Sequence, residues 1–242
     1  MIKVIFLALA ALKFGKIGVT AGSMMLSLWV YSMLWGWPFA AGFVGLLFAH
    51  EMGHVMAARV RGLPVSAPAF IPFMGAIITM KEMPPDAETE AYVAYGGPFI
   101  GTLACFAVFF WAQQTGSMLG LAISYSGFFL NLFNLLPVSP LDGGRIAAVL
   151  GPRIWLLGAP LLVAAMLYQP SPVLILVAVI AFPQLKAAWR YDPNAPENQR
   201  YYGQITPSAK LEYTVLYLAL ALLLALMAYH VHVLLSGVHG GA

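Results

Sequence analysis

The sequence predicts an all-α polytopic membrane protein of about six to seven transmembrane helices, with a small membrane-associated β-hairpin near one end of the bundle. Composition is the first reason. Hydrophobic residues make up 61% of the 242 and charged residues only 9%, with a mean hydropathy of +0.84, far above what a soluble domain of this length carries. Segmentation is the second. Each membrane span needs roughly 20 apolar residues, and seven stretches qualify as candidates: about 17–36, 37–58, 93–113, 118–138, 153–169, 172–189 and 211–235. The third is the apolar stretch 65–83, which prolines exclude from a spanning helix.

Ahead of the first span, Met1 to Leu12 is a short apolar run followed at once by Lys13 and Lys16. The run is too short for a signal peptide and reads as an interfacial helix. Trp29, Tyr31, Trp35 and Trp37 cluster where the first two spans meet, as a membrane-interface aromatic belt would. Lys13, Lys16, Arg59, Arg61, Arg145, Arg153, Lys186, Arg190 and Arg200 fall on one side of this plan. The opposite connections, near Gly36, Gln113 to Ser117 and Gln169 to Ser171, carry no Lys or Arg. The positive-inside rule makes the basic side cytoplasmic, so an odd number of spans puts the N-terminus inside and the C-terminus outside. This accounts for the +3 net charge. The basic residues form no run, so no nucleic-acid partner is expected, whereas the lipid bilayer is an obligatory one. Cys105, the single cysteine, falls inside a span as a core residue and excludes an intrachain disulfide.

The second span ends in His50-Glu51-Met52-Gly53-His54, an HExxH pattern. Helical positions i and i+4 share a face, so both imidazoles can address one Zn²⁺ with Glu51 beside it as a base. Two of the chain's five histidines thus flank an acid at metal-ligand spacing. An ionisable group inside a membrane segment is costly and normally functional. A catalytic zinc generally takes three protein ligands and keeps the fourth place for water, so a third must come from another segment.

Downstream, Pro64, Pro68 and Pro72 break the apolar stretch, and Phe70 to Met80 has strand-forming residues on both sides of a turn. Open backbone in a membrane must be covered by protein or line a wet cavity. A hairpin beside the metal results, whose unpaired edge can take up an extended substrate segment. Pro84, Pro85, Asp86, Glu88 and Glu90 read as a short polar linker with solvated acids. Gly96-Gly97-Pro98-Phe99-Ile100-Gly101 opens the third span. Its small residues permit close helix approach beside the second span, with a direct substrate role as the other reading.

The third ligand is sought after the fourth span, in Asn131-Leu-Phe-Asn134-Leu-Leu-Pro137-Val-Ser-Pro140-Leu-Asp142-Gly143-Gly144-Arg145. Pro137 and Pro140 break the helix and the glycines allow tight backbone, which lets Asp142 lean back into the bundle. Asp86 and Asp192 sit in polar loops, and His230, His232 and His239 belong at the opposite face, so Asp142 is the expected ligand. Asn134 either holds or polarises a substrate carbonyl or makes an interhelical hydrogen bond. Arg145 reads as a positive-inside anchor. Tyr191 to Lys210, with three prolines, reads as a cytoplasmic linker, and the tail from Ser236 as disordered.

HExxH in an early span, GGPFIG before the third and NLLPVSPLDGG after the fourth together resemble the site-2 protease family of intramembrane zinc metalloproteases. The likeness covers about residues 37–150, the family's three-span catalytic core, and leaves about 153–235 as accessory spans of one integral membrane domain. It implies one Zn²⁺ per chain on His50, His54 and Asp142, Glu51 as general base and acid, and Asn134 in the active-site neighbourhood. It also implies a zinc metalloendopeptidase that cleaves peptide bonds in or near a transmembrane helix of a membrane protein, towards the cytoplasmic side of the cell membrane. Many relatives carry a PDZ domain or a CBS pair; no stretch here is long and polar enough for either. Two other functions compete: a zinc-dependent membrane hydrolase of a non-protein amide, and a catalytically silent membrane binding protein. No feature of the sequence sets an oligomeric state.

Overall fold

Three helices packed on one another through small residues hold the centre of the chain. The computed structural model describes residues 15–66, 68–73, 75–77, 84–168 and 170–239. Helix α1 (Gly15–Trp35) leads into α2 (Trp37–Val60), then strands β1 (Ala69–Ile71) and β2 (Gly75–Ile77), and helices α3 (Ala87–Thr115) and α4 (Met118–Asn134). Short helix α5 (Asp142–Ala147) and two 3₁₀ turns precede α6 (Trp155–Tyr168), α7 (Pro172–Trp189), α8 (Pro196–Tyr202) and α9 (Pro207–His239). The proposed interfacial helix at Met1 to Leu12 lies outside the described residues.

Each of the seven apolar segments is helical over most of its length. Among the described residues, four helices are long and apolar enough to cross a membrane: Trp37–Val60, Ala87–Thr115, Pro172–Trp189 and Pro207–Gly237. The chain is a membrane protein by this measure. Helix α4 stops at Asn134, short of 138, because the chain turns ahead of Pro137, and α6 has only 14 residues. In α1 the hydroxyls of Thr20, Ser23, Ser27 and Ser32 dilute the apolar content. Helix α3 starts earlier than its apolar run. Asp86 caps it by accepting from the Thr89 amide at 2.7 Å, and Glu88 and Glu90 occupy its first turn, where acids suit the helix dipole. The supposed polar linker is therefore a helix start.

Helices α2, α3 and α4 pack mutually, with α1 against the outer side of α2, α9 against α4, and α6 paired with α7. Gly53 decides how closely α2 meets α3: a Cβ there would run into the backbone carbonyl of Gly96. Such contacts let two helix backbones touch, which in lipid replaces the hydrophobic drive available in water. The main core joins Leu46, Cys105, Phe109, Ile123 and Phe128 to Leu220 and Leu224 of α9. A second core, with Tyr31, Val44, Leu47 and Phe70, seats the strands, and a third joins Val138 to Leu162, Leu174 and Val177.

The two strands form an antiparallel ladder pairing Ala69 with Ile77, Phe70 with Ala76 and Ile71 with Gly75. Helix α1 fastens β1 from outside: the Thr20 hydroxyl donates to the Pro68 carbonyl at 2.7 Å, and the Phe70 amide donates to Ser23 Oγ at 3.0 Å. Tyr31 departs from its expected place in an aromatic belt. It is buried, stacks on Trp35, and its hydroxyl accepts from the Phe73 amide at 2.8 Å. Trp35 and Trp37 do remain half-exposed. Towards the end of the chain, Tyr191 to Lys210 is not a plain linker, since it contains α8 and the first turn of α9. The tail is likewise helical through His239.

Candidate metal centre

His50 and His54 lie one turn apart on α2 with their Nε2 atoms 3.1 Å from each other. The turn after α4, closed by Pro137 and Pro140, returns Asp142 to this point. Its Oδ2 lies 3.1 Å from His50 Nε2 and 3.3 Å from His54 Nε2. All three side chains are buried, and among the described residues they are the one group of His, Cys, Asp and Glu placed to share a metal ion. Close fit around Asp142 needs Gly143, where a Cβ would meet the Leu135 carbonyl.

The far side of each imidazole shows what the near side must offer. His54 Nδ1 lies 2.9 Å from the carbonyl of Val93, which can only accept, so this nitrogen carries the hydrogen. His50 Nδ1 lies 2.8 Å from Asn131 Oδ1. The Asn131 amide is oriented by its other end, because Nδ2 donates to the Gly127 carbonyl at 2.8 Å and sits 3.7 Å from Cys105 Sγ. Both histidines thus donate outward and turn bare Nε2 lone pairs inward, towards each other and a carboxylate oxygen. Three acceptors converging in a buried place repel unless a cation lies among them. In a tetrahedral site with bonds of about 2.0–2.1 Å, ligand atoms stand roughly 3.3 Å apart, which these separations match. Two imidazoles and a carboxylate, each imidazole held by an outer hydrogen bond, suit zinc.

Glycines supply the space. A Cβ on Gly97 would overlap the His54 imidazole, and one on Gly101 would overlap the Asn131 amide. The GGPFIG segment therefore makes room for the His54 imidazole and the Asn131 amide, which favours its packing reading. Glu51, also buried, lines a cavity of about 670 Å³ together with His50, His54 and Asp142. Asn134 faces the same cavity, and its amide has no hydrogen-bond partner among the described residues. The interhelical hydrogen bond considered for Asn134 is made by Asn131 instead. Tyr31, Phe73 and, from α7, Val173, Leu176, Val177 and Ile180 line the same cavity.

Two assignments change. Arg145 is not merely an anchor: its Nε donates to Glu90 Oε1 at 3.1 Å and its Nη1 lies 3.8 Å from Asp142 Oδ1. Glu90 is accordingly not a solvated acid. His230 and His232 stand apart from the site, beside Phe109 and Tyr125. Sequence reasoning missed Asn131 as the support of His50, although a second amide one turn before Asn134 inside a span was a usable signal.

Comparisons with known proteins find similarity over the segment that holds His50 and His54. Residues 38–126 match the model of Peptidase family M50. The probable zinc metalloprotease EGY1, chloroplastic, of Arabidopsis thaliana is 30% identical over 155 residues, covering 45% of this chain and 28% of that protein. The zinc metalloprotease MJ0392 of Methanocaldococcus jannaschii is 30% identical over 126 residues, covering 50% of this chain and 36% of its own length. The rice (Oryza sativa subsp. japonica) protein of the EGY1 name is 34% identical over 77 residues, 30% of this chain and 13% of the relative. The chain thus spans well under half the length of these relatives. The segment that carries HExxH and the glycine-lined face opposite it is thus similar to Peptidase family M50.

Proposed function

We propose that this protein is an intramembrane zinc metalloprotease that hydrolyses peptide bonds in or near transmembrane helices of other membrane proteins. The observation that carries the reading is the convergence of three inward lone pairs, from His50, His54 and Asp142, on a cavity that also receives Glu51. One Zn²⁺ per chain would be held there. When bound, it supplies Lewis-acid polarisation of the scissile carbonyl and lowers the pKa of water towards about 7.

The chain's own residues do the rest. Glu51 takes the proton of the attacking water and hands it to the leaving nitrogen, a transfer worth about 10²–10⁴-fold. Asn134, with its amide unspent, steadies the substrate backbone by hydrogen bonding its carbonyl. A helical peptide bond is shielded by its own hydrogen bonds, so the substrate must unwind locally. The hairpin offers the replacement partner. Its β1 edge is already occupied by Thr20 and Ser23 of α1, which leaves β2 as the strand an extended segment would join. The positive-inside distribution of basic residues supports a multi-pass cell-membrane arrangement with this site towards the cytoplasm, from which water would reach the cavity.

The test is cleavage of a transmembrane-helix reporter by detergent-purified protein, alongside zinc content by elemental analysis. Wild type and Glu51→Gln should both hold about one zinc per chain, with cleavage lost in the variant. A fully active Glu51→Gln would overturn the mechanism. Zinc-loaded wild type that ignored such reporters yet hydrolysed small lipid-linked amides would overturn the substrate class.

A further inference from the structure

Between the metal ligands and the C-terminal helices runs a continuous polar chain that the reaction above does not use. Asp142 turns Oδ2 to the histidines, and its other oxygen, Oδ1, lies 3.8 Å from Arg145 Nη1. Arg145 is held from behind, since its Nε donates to Glu90 Oε1 at 3.1 Å. Glu90 is held in turn, because its Oε2 accepts from the Tyr201 hydroxyl of α8 at 2.6 Å across 111 positions of sequence. Burial, reinforced by the Glu90 charge, raises the Tyr201 pKa well above the usual phenol range and keeps that hydroxyl a donor. Arg145 Nη2 is buried with no partner among the described residues, so the guanidinium depends on Glu90 and Asp142.

The loop that carries Asp142 is braced from the same C-terminal side. The Tyr217 hydroxyl donates to the Leu135 carbonyl at 2.5 Å, and Trp155 Nε1 donates to the Gly144 carbonyl at 2.8 Å. Both ends of the loop are therefore tied to residues outside the three-helix core.

We propose that Glu90 and Tyr201 are positioning residues of the metal centre, which hold Arg145 against Oδ1 of Asp142 and keep Oδ2 free for the metal. The physical reason is competition. A guanidinium next to a carboxylate tends to pair with both oxygens as a fork, and it never loses its charge. An unrestrained Arg145 would close on Oδ2 as well as Oδ1 and contend with the cation for its ligand. Glu90 takes up Nε, so that Arg145 presents one edge only, and Tyr201 fixes Glu90. Helix α8 thereby couples the polar segment between α7 and α9 to the ligand group. This inference rests on the reading of His50, His54 and Asp142 as the metal site.

The test is zinc affinity of the purified full chain by competition with a chromophoric chelator, which needs no substrate. Glu90→Gln should weaken zinc binding roughly tenfold, the scale of an outer-shell partner. Tyr201→Phe, which removes one hydroxyl at the edge of the fold, should weaken it by about threefold. In an Arg145→Gln background, which deletes the competitor, Tyr201→Phe should produce no further change, as expected of residues acting in series. Wild-type affinity in Glu90→Gln and Tyr201→Phe, with only a lowered melting temperature, would overturn the proposal and make the chain of contacts purely structural. So would an undiminished Tyr201→Phe effect in the Arg145→Gln background. Wild type without zinc would sink the metal-site reading along with it. Zinc-loaded wild type that cleaves nothing would count against the protease alone, and the affinity series would still decide the role of Glu90 and Tyr201.

Discussion

The three-helix core and the C-terminal helices use their surfaces in opposite ways. In the apolar stretches of α2 and α3, 50% and 44% of residues are buried inside the protein, against 17% in α7 and 22% in α9. Core helices present glycines and alanines to each other, and the space this creates is filled by imidazoles and an amide. Helices α7 and α9 present Leu, Val and Ile outward, as at Val179, Leu218 and Leu222, where lipid tails are the natural neighbours. Close packing around polar groups needs small residues and tolerates little change; contact with lipid needs only apolar surface.

The contrast breaks most sharply at Glu51. Glu51→Gln should lower cleavage of a membrane-helix reporter by about 10²–10⁴-fold with zinc retained, and unimpaired cleavage would mean that the core does not house the chemistry. Next comes the support of His50. Asn131→Ala removes the acceptor that orients His50, and zinc affinity by chelator competition should fall by about 10–100-fold. Equal affinity would show that packing alone orients the imidazole.

Gly97→Ala sharpens the comparison without removing a polar group. The new methyl would press on the His54 ring, and overpacking of this kind costs about 1–3 kcal/mol. A lowered midpoint in thermal unfolding together with weaker zinc binding is expected, and a wild-type melting curve would deny the close α2–α3 approach. The smallest effect belongs to the C-terminal half. Val179→Ala, at a position 65% exposed on α7, should change stability by no more than about 0.5 kcal/mol and leave cleavage intact. A large loss there would reveal that a protein surface, and not lipid, covers α7.

Reading the sequence located most helices to within a few residues because long apolar runs and prolines act locally. It misjudged the region around Asp86 to Glu90, where acids that resemble a solvated linker start a helix. It also placed α4 too long, since apolar Leu135 and Leu136 belong to a turn that only the following prolines explain. At the site, His50, Glu51, His54 and Asp142 were legible as a constellation. The two amides were not separable: Asn131 and Asn134 differ only in whether a histidine or open cavity lies in front of each.

The sequence by itself determined what one helix can show on one face: two imidazoles and a carboxylate at i, i+1 and i+4, in a chain too apolar to live outside a membrane. That follows from helical periodicity and composition, which need no knowledge of the rest of the fold. Tertiary structure alone decided that Asn131 holds His50, that Val93 holds His54, that Glu90 meets Arg145 and Tyr201, and that β1 is fastened to α1. Those partners lie 39 to 111 positions apart. Which of them meet depends on how closely glycine lets two backbones approach, a property of the packed bundle and not of any segment read alone.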